Sequence, residues 1–310
     1  MRIGWGQLFR TVFWSLILGA TMGLAIPAAA QQIAVTFDDL PAHGPLPKGE
    51  TRMDVANRVI RALHNAQVPP TYGFVNGIRV QEQPDTIGVL GAWVAAGNPL
   101  GNHTWSHMNL NQNSLGAFEQ DIAHNEQLIQ LQMKDGDWHW FRFPFLAEGD
   151  TPEKQMGVRA WLAQHGYKIA GVTMSFADYE WNEPYARCSD KRDVKEIAWL
   201  ETSYLRAADE NIRLERGLSK QLYGHDIPYV LLMHIGAFDA RMLPRLLGLY
   251  KRRGFSFVTL EQAELDPFYK YDADPKLLLG PDTLEAAAAA KHMSLPKQED
   301  FSKRLDAVCR

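Results

Sequence analysis

Short apolar runs alternate with longer amphipathic ones from about Ile33 to Asp266, and this alternation constrains the fold more than any other feature of the chain. Ile33–Phe37 and Tyr229–His234 are typical of buried strands, whereas Phe118–Met133 repeats its apolar residues at helical spacing. Such an alternation favours an α/β architecture with a parallel sheet. The chain has 310 residues, which is enough for one barrel-type domain of ~200 to 250 residues.

Capping and turn residues predict further elements. Thr51 and Asp54 have the spacing of a capping box at the start of a helix. The other predicted strands are Thr71–Val75, Trp140–Phe143, Tyr167–Thr173 and Phe255–Leu260, and the other predicted helices are Ile87–Ala96, Val158–His165 and Leu243–Arg253.

The first 30 residues have the order of a secretory signal peptide. Arg2 and Arg10 come first, a largely apolar stretch from Val12 to Ile26 follows, and Ala28–Ala30 supplies small residues for cleavage. The alternative is a membrane anchor, but the stretch is shorter than the ~20 residues that a spanning helix needs. We therefore expect export, to the periplasm or the medium, with cleavage near Ala30.

The charge of the exported chain limits its partners. Removal of two arginines from 32 basic and 36 acidic side chains leaves a net charge of −6, with no basic block or stripe. This composition argues against nucleic acid and against an anionic membrane surface. Cys188 and Cys309 are the only cysteines; they either form a disulfide or remain two thiols, and their spacing is not that of a zinc cluster.

The pattern changes beyond Asp266, where prolines and an alanine run replace the regular alternation. We expect residues 31–266 to form the catalytic domain. Residues 267–310 are expected to be a C-terminal extension wrapped on the surface, with one short helix.

Two aspartates and two histidines indicate a catalytic metal site. Asp38 and Asp39 end the first predicted strand, and His103 and His107 begin 64 residues after Asp39. Residues at i and i+4 lie on the same side of a helical turn, so both histidines could bind one ion with Asp39 and leave positions open for water and substrate. Asp38 could then act as general base. The alternative for the two carboxylates is an ordinary turn or cap pair before Pro41.

An arginine after an aromatic strand could hold the base. Arg142 could be the buried partner that orients Asp38. Pro144 would stiffen the following loop, so that a backbone N–H near Phe145 could face a developing oxyanion. The alternative is a surface arginine beside a structural aromatic cluster.

A histidine at the end of a later strand is a candidate acid. His234 could protonate a leaving amine, and Asp178 or Glu180 could orient it, with Asp178 favoured slightly. Trp181 beside them could stack on a sugar ring. His43 could line the rim of the site.

Five ordered motifs resemble those of the polysaccharide deacetylase family, the NodB-homology carbohydrate esterases of the family 4 type. The motifs span residues 36–39, 103–107, 142–145, 178–181 and 231–234. The resemblance implies a distorted (β/α) barrel of seven or eight strands and the hydrolysis of acetyl groups on a carbohydrate by a divalent metal, usually zinc. Asp39, His103 and His107 would be the metal ligands, and Asp38 the base. Arg142 would orient Asp38, and His234 would be the acid.

The expected enzyme is a hydrolase of non-peptide carbon–nitrogen bonds that removes N-acetyl groups from an acetylated poly- or oligosaccharide. Three alternatives remain open: a hydrolase of small amides, an esterase that removes O-acetyl groups, and a non-catalytic protein that binds carbohydrate on the same fold.

Overall fold

The fold is organised around one long strand, β1 (Gln31–Leu40), which pairs in parallel with three other strands. It is seen in a computed structural model that describes Met1, residues 31–277 and residues 283–310. The predicted signal peptide, apart from Met1, lies outside the described residues. The other strands are β2 (Gly73–Val75), β3 (Leu100–Asn102), β4 (Trp140–Phe141), β5 (Lys168–Ile169), β6 (Tyr229–His234) and β7 (Phe255–Val258).

The seven strands form one curled parallel sheet in the order β5-β4-β3-β2-β1-β6, and β7 pairs with the first part of β1. A parallel bridge between Met174 and Leu231 connects the chain that leaves β5 to β6 at the opposite edge of the sheet. The expected α/β fold is therefore confirmed: the sheet is the distorted barrel implied by the resemblance, with seven strands in the described part of the chain. Because all pairings are parallel, the carboxyl ends of the strands meet on one side.

Helices connect the strands and cover the sheet. Thr51 and Asp54 form the predicted capping box at the start of the first helix. The helices up to β7 are α1 (Arg52–Asn65), the short α2 (Ile78–Glu82), α3 (Ile87–Ala95), α4 (Leu115–Met133), α5 (Pro152–Gln164), α6 (Asn182–Asp190), α7 (Val194–Tyr223) and α8 (Ala237–Arg252). Four short helices follow: α9 (Leu260–Ala263), α10 (Lys270–Ala273), α11 (Leu284–Ala290) and α12 (Ser302–Ala307).

Several predicted bounds were wrong. The strands β4 and β5 are only two residues long, and α8 begins six residues before the predicted start at Leu243. The 30-residue helix α7 was not predicted. Its buried face includes Asn211 and Glu215, so polar residues interrupt the apolar repeat by which a helix is recognised.

The C-terminal segment packs into the same core as the barrel. Phe301 and Leu305 are buried, and α12 contacts the turn Asp178–Trp181. A disulfide joins Cys188 on α6 to Cys309, which decides between the two alternatives for the cysteines. The expectation of one short helix in this segment was too low, since α10, α11 and α12 all lie there. Within the described residues, no helix has the length and apolar character needed to cross a membrane.

Candidate active site

A cavity of about 390 Å³ opens at the carboxyl ends of the strands. Asp38 and Asp39 reach it from the end of β1, His103 and His107 from the loop after β3, and His234 from the end of β6. In barrels of parallel strands, catalytic groups collect at this end. The structure thus brings together residues that lie up to 196 positions apart in the sequence.

The carboxylate of Asp38 is buried and held by a buried arginine. Nη1 of Arg142 lies 3.2 and 3.3 Å from the two carboxylate oxygens. The guanidinium also donates to the Thr36 hydroxyl and to the carbonyls of Ala170 and Gly171. The side chain of Arg142 is therefore fixed by four partners, and it leaves Asp38 little freedom to rotate. The sequence correctly paired these two residues.

The backbone turns at Asp39, so that both neighbouring carboxylates face the cavity. Successive side chains of a strand point to opposite faces, which would normally separate Asp38 from Asp39. Asp39 has a φ of 63°, in the left-handed region that is costly for most residues. His107 and Phe145, which also line the cavity, have φ values of 57° and 60°. Strained conformations of this kind cluster at functional sites.

The two histidines do not lie on a helical turn, so the helical spacing expected for them is wrong. They lie in the loop after β3, where Thr104 and His107 both have positive φ. The Thr104 hydroxyl accepts a hydrogen bond from the N–H of Met108, and Asp121 accepts bonds from the N–H and hydroxyl of Ser106. This tight loop, and not helical periodicity, brings the ring centroids of His103 and His107 to 4.9 Å from each other.

Asp39, His103 and His107 fit a divalent metal. Oδ1 of Asp39 is buried without a hydrogen-bond partner and lies 3.6 Å from Nε2 of His103 and 3.4 Å from Nε2 of His107. Tetrahedral ligands at ~2.1 Å from an ion lie ~3.4 Å from one another, so these separations suit one cation. Nδ1 of His103 lies 2.7 Å from the carbonyl oxygen of Arg142 and must carry the proton, which leaves the Nε2 lone pair free.

The electrostatics of these side chains also favour metal binding. Burial acts to raise the pKa of Asp39, but the hydrogen bond from His43 and the nearby His234 and His103 hold it well below its usual range. Burial, together with the neighbouring His103, lowers the pKa of His107 to about 4. At neutral pH the carboxylate is therefore charged and the imidazole neutral, which are the forms that bind metals.

His234 is held by Asp178, which decides between the two predicted carboxylates. Nδ1 of His234 lies 2.9 Å from Oδ1 of Asp178, and the backbone N–H of His234 donates to Oδ2 at 2.7 Å. Burial lowers the pKa of His234, but the Asp178 carboxylate outweighs it and raises the pKa to about 10. Glu180 lines a neighbouring surface pocket instead. The imidazole is therefore charged at neutral pH and can give up a proton.

Two of the predicted aromatic residues have different surroundings. Phe145 is 64% exposed and packs its ring 4.4 Å from that of His107, at the mouth of the cavity. Trp181 is 2% exposed, donates to the hydroxyl of Ser203 and does not line the cavity. The structure therefore does not bring Trp181 to the cavity, where it was expected to stack on a sugar. Tyr179, two residues earlier, is the exposed aromatic of that turn.

His43 contributes more than the rim position predicted for it. Its Nδ1 lies 2.7 Å from Oδ2 of Asp39, and its ring lies 4.8 Å from that of His234. The sequence offered little indication of this contact, because a histidine four residues after an aspartate is common by chance outside a helix. The cis Leu40–Pro41 bond precedes this turn.

The sequence comparison agrees with this geometry. A family model described as polysaccharide deacetylase matches residues 25–170, which include the first three of the five motifs. The motifs that contain Asp178 and His234 lie beyond the matched range, so it is the structure that brings these two residues to the site.

Solved structures of similar fold include one described as a deacetylase and one described as a pseudoenzyme. The polysaccharide deacetylase Bc1974 from Bacillus cereus is 19% identical with a TM-score of 0.53, over 79% of this chain and 99% of that one. Wild-type BA3943 from Bacillus anthracis, described as a CE4 family pseudoenzyme, is 15% identical with a TM-score of 0.53, over 76% and 66%. A BA3943 mutant with restored enzymatic activity is 16% identical, also with a TM-score of 0.53, over 76% and 68%. At these identities the likeness shows the fold alone.

Proposed function

We propose that this chain is a metal-dependent deacetylase that hydrolyses the N-acetyl group of an amino sugar in a poly- or oligosaccharide. The observation that carries the proposal is the convergence of three groups in one cavity: a metal-ligand set, a carboxylate and a histidine held by a carboxylate. The match to the family model alone would not suffice, since a solved structure of similar fold is described as a pseudoenzyme.

Asp39, His103 and His107 would hold the metal, and zinc suits one carboxylate and two imidazoles. A bound divalent ion supplies a Lewis acid that polarises a carbonyl and lowers the pKa of water. The buried, unpartnered Oδ1 of Asp39 supports this assignment, because such an atom is costly unless a ligand satisfies it.

Asp38 and His234 would move the protons. Asp38 would take a proton from the attacking water while Arg142 fixes the orientation of its carboxylate. His234, charged and hydrogen-bonded to Asp178, would give a proton to the departing amine. The amide thus becomes acetate and a free amino sugar.

The mouth of the cavity would bind the substrate. A backbone N–H near Phe145 would stabilise the oxyanion of the tetrahedral intermediate. The exposed rings of Phe145 and Tyr179, which both line the cavity, suit the apolar faces of a sugar.

Acetate release by the residue 31–310 protein tests the proposal. The substrates are N-acetylated glucosamine oligomers and acetylated xylan, each with zinc and with chelator. Zinc-dependent release from the oligomers supports the proposal, whereas release from xylan alone would make the protein an ester hydrolase. Absence of release from both, with one equivalent of zinc bound, would contradict the proposed activity and favour the small-amide or carbohydrate-binding alternatives.

Export is part of the proposal. A disulfide between Cys188 and Cys309 suits an oxidising compartment, as does the composition of residues 1–30. An acetylated carbohydrate outside the cytoplasm is then the expected partner.

A further inference from the structure

His43 makes a direct hydrogen bond to one of the candidate metal ligands. Its Nδ1 lies 2.7 Å from Oδ2 of Asp39, and both side chains are largely buried, with 21% and 14% of their surfaces exposed. An ionised carboxylate can only accept a hydrogen bond, so Nδ1 of His43 carries the proton. The bond is therefore a charge-assisted one, which is stronger than a bond between neutral groups.

The two oxygens of Asp39 consequently have different surroundings. Oδ2 is occupied by His43, while Oδ1 has no hydrogen-bond partner and faces Nε2 of both His103 and His107. Without His43, the carboxylate could rotate and exchange its two oxygens. We infer that His43 is a positioning residue, which fixes Asp39 with one oxygen toward the metal; the inference rests on the metal site of the proposed function.

The backbone around His43 is itself anchored, as a positioning residue requires. Arg52, at the start of α1, donates to the carbonyl of His43 at 2.8 Å and to that of Gly44 at 2.6 Å. The N–H of Ala42 donates to the carbonyl of Asp39 at 2.9 Å. These hydrogen bonds connect the turn after β1 to α1, so the backbone that carries His43 is fixed in position.

A role for His43 as a direct ligand fits the contacts less well. Asp39, His43 and His234 also lie close enough to share an ion. Nδ1 of His43, however, cannot bind an ion and keep its hydrogen bond to Asp39 at the same time. His234 already uses Nδ1 to bond Asp178. A group that supports a ligand typically changes metal affinity by ~10- to 100-fold, whereas loss of a ligand has a larger effect.

The zinc affinity of the residue 31–310 protein distinguishes a positioning role of His43 from a role as direct ligand, without any measurement of activity. Competition with a chromophoric chelator gives the Kd of the wild type and of H43A, H43N, H103A and H64A. In H43N the amide nitrogen replaces Nδ1 at the same distance along the side chain. H64A removes an exposed histidine from α1 and is the matched control.

We expect H43A to bind zinc 10- to 100-fold more weakly, and H43N to recover affinity to within a few-fold of the wild type. H64A should match the wild type, and H103A should lose more affinity than H43A. Wild-type zinc affinity in H43A would overturn the inference. Equal and severe losses of affinity in H43A, H43N and H103A would also overturn it, because they would show that His43 is itself a ligand. If the wild type itself binds no zinc, the metal site of the proposed function fails instead. H43N still decides the matter if H43A does not fold.

Discussion

Asp38 and His234 are directly paired residues on the adjacent parallel strands β1 and β6. Both side chains line the same cavity, and each is held by a buried partner of opposite charge, Arg142 for Asp38 and Asp178 for His234. Strand register therefore sets the spacing between the proposed base and the proposed acid. The end of β1 also carries Asp39, and the loop after β3 carries the two histidines of the proposed metal site.

Loss of Arg142 should destabilise the protein. R142M leaves Asp38 buried without its guanidinium partner, and breaking a buried ion pair costs ~3–5 kcal/mol. The free energy of unfolding, measured by urea denaturation, should fall by about that amount. The matched control is R245M, which removes an exposed arginine paired with Glu201 and should cost less than ~1 kcal/mol. Equal losses in the two variants would contradict the assigned role of Arg142.

Loss of Asp178 should shift the alkaline limit of activity. The pKa of His234 is about 10 because Asp178 outweighs the effect of burial. The proposed acid must be protonated, so activity falls as the pH rises through this pKa. In D178N the effect of burial on His234 is less opposed, so the pKa of His234 falls. The decline of kcat should therefore begin at lower pH.

The pH dependence of kcat between pH 6 and 10 checks this shift. E180Q is the control, because Glu180 is close in sequence but does not contact His234. Its profile should follow that of the wild type. An unshifted profile in D178N would refute the role of Asp178.

Glu215 should make stability depend on pH. It is buried on α7, and burial together with Glu285 on α11 raises its pKa to about 10. The group binds its proton more tightly when folded, so its stabilising contribution is complete below pH ~4.5 and is lost as the pH rises toward 10, by at most ~1.4 kcal/mol per pH unit. Urea denaturation at pH 5 and pH 8 should show a smaller decline for E215Q than for the wild type. An equal decline would contradict the prediction.

Reduction of the disulfide should weaken the protein. Cys188 and Cys309 close a loop of 121 residues, and α12, just before Cys309, contacts the turn that carries Asp178. Loss of such a bond typically costs ~2–5 kcal/mol. Both the C188S/C309S variant and the reduced wild type should therefore have a lower Tm. A reductant should not change the Tm of the variant, and a wild-type Tm indifferent to reductant would show that the bond adds no stability.

The sequence predicted which residues meet in the cavity better than it predicted the local geometry that brings them together. Asp38, Asp39 and His234 follow strands whose apolar pattern is clear, so their meeting at one end of a parallel sheet could be predicted. His103 and His107 were paired correctly but for a wrong reason, since a loop with positive φ values brings them together. Such conformations depend on tertiary contacts, which spacing does not reveal.

The surroundings of the aromatic residues and of the C-terminal segment also depend on tertiary contacts that spacing does not reveal. Trp181 and Tyr179 occupy one short turn, and packing against Ser203, Tyr204 and Phe301 buries the ring of Trp181. The contact of α12 with that turn joins residues more than 120 positions apart. A single sequence carries no periodic signal for contacts of this kind.

Acetate release by zinc-loaded wild-type and D38N proteins tests the central claim most directly. The wild type should release acetate from an N-acetylglucosamine oligomer with zinc and lose that activity with chelator. D38N should retain one equivalent of zinc, because Asp39, His103 and His107 are intact, yet turn over at least ~100-fold more slowly. Full activity in D38N, or wild-type release that chelator does not affect, would contradict the account.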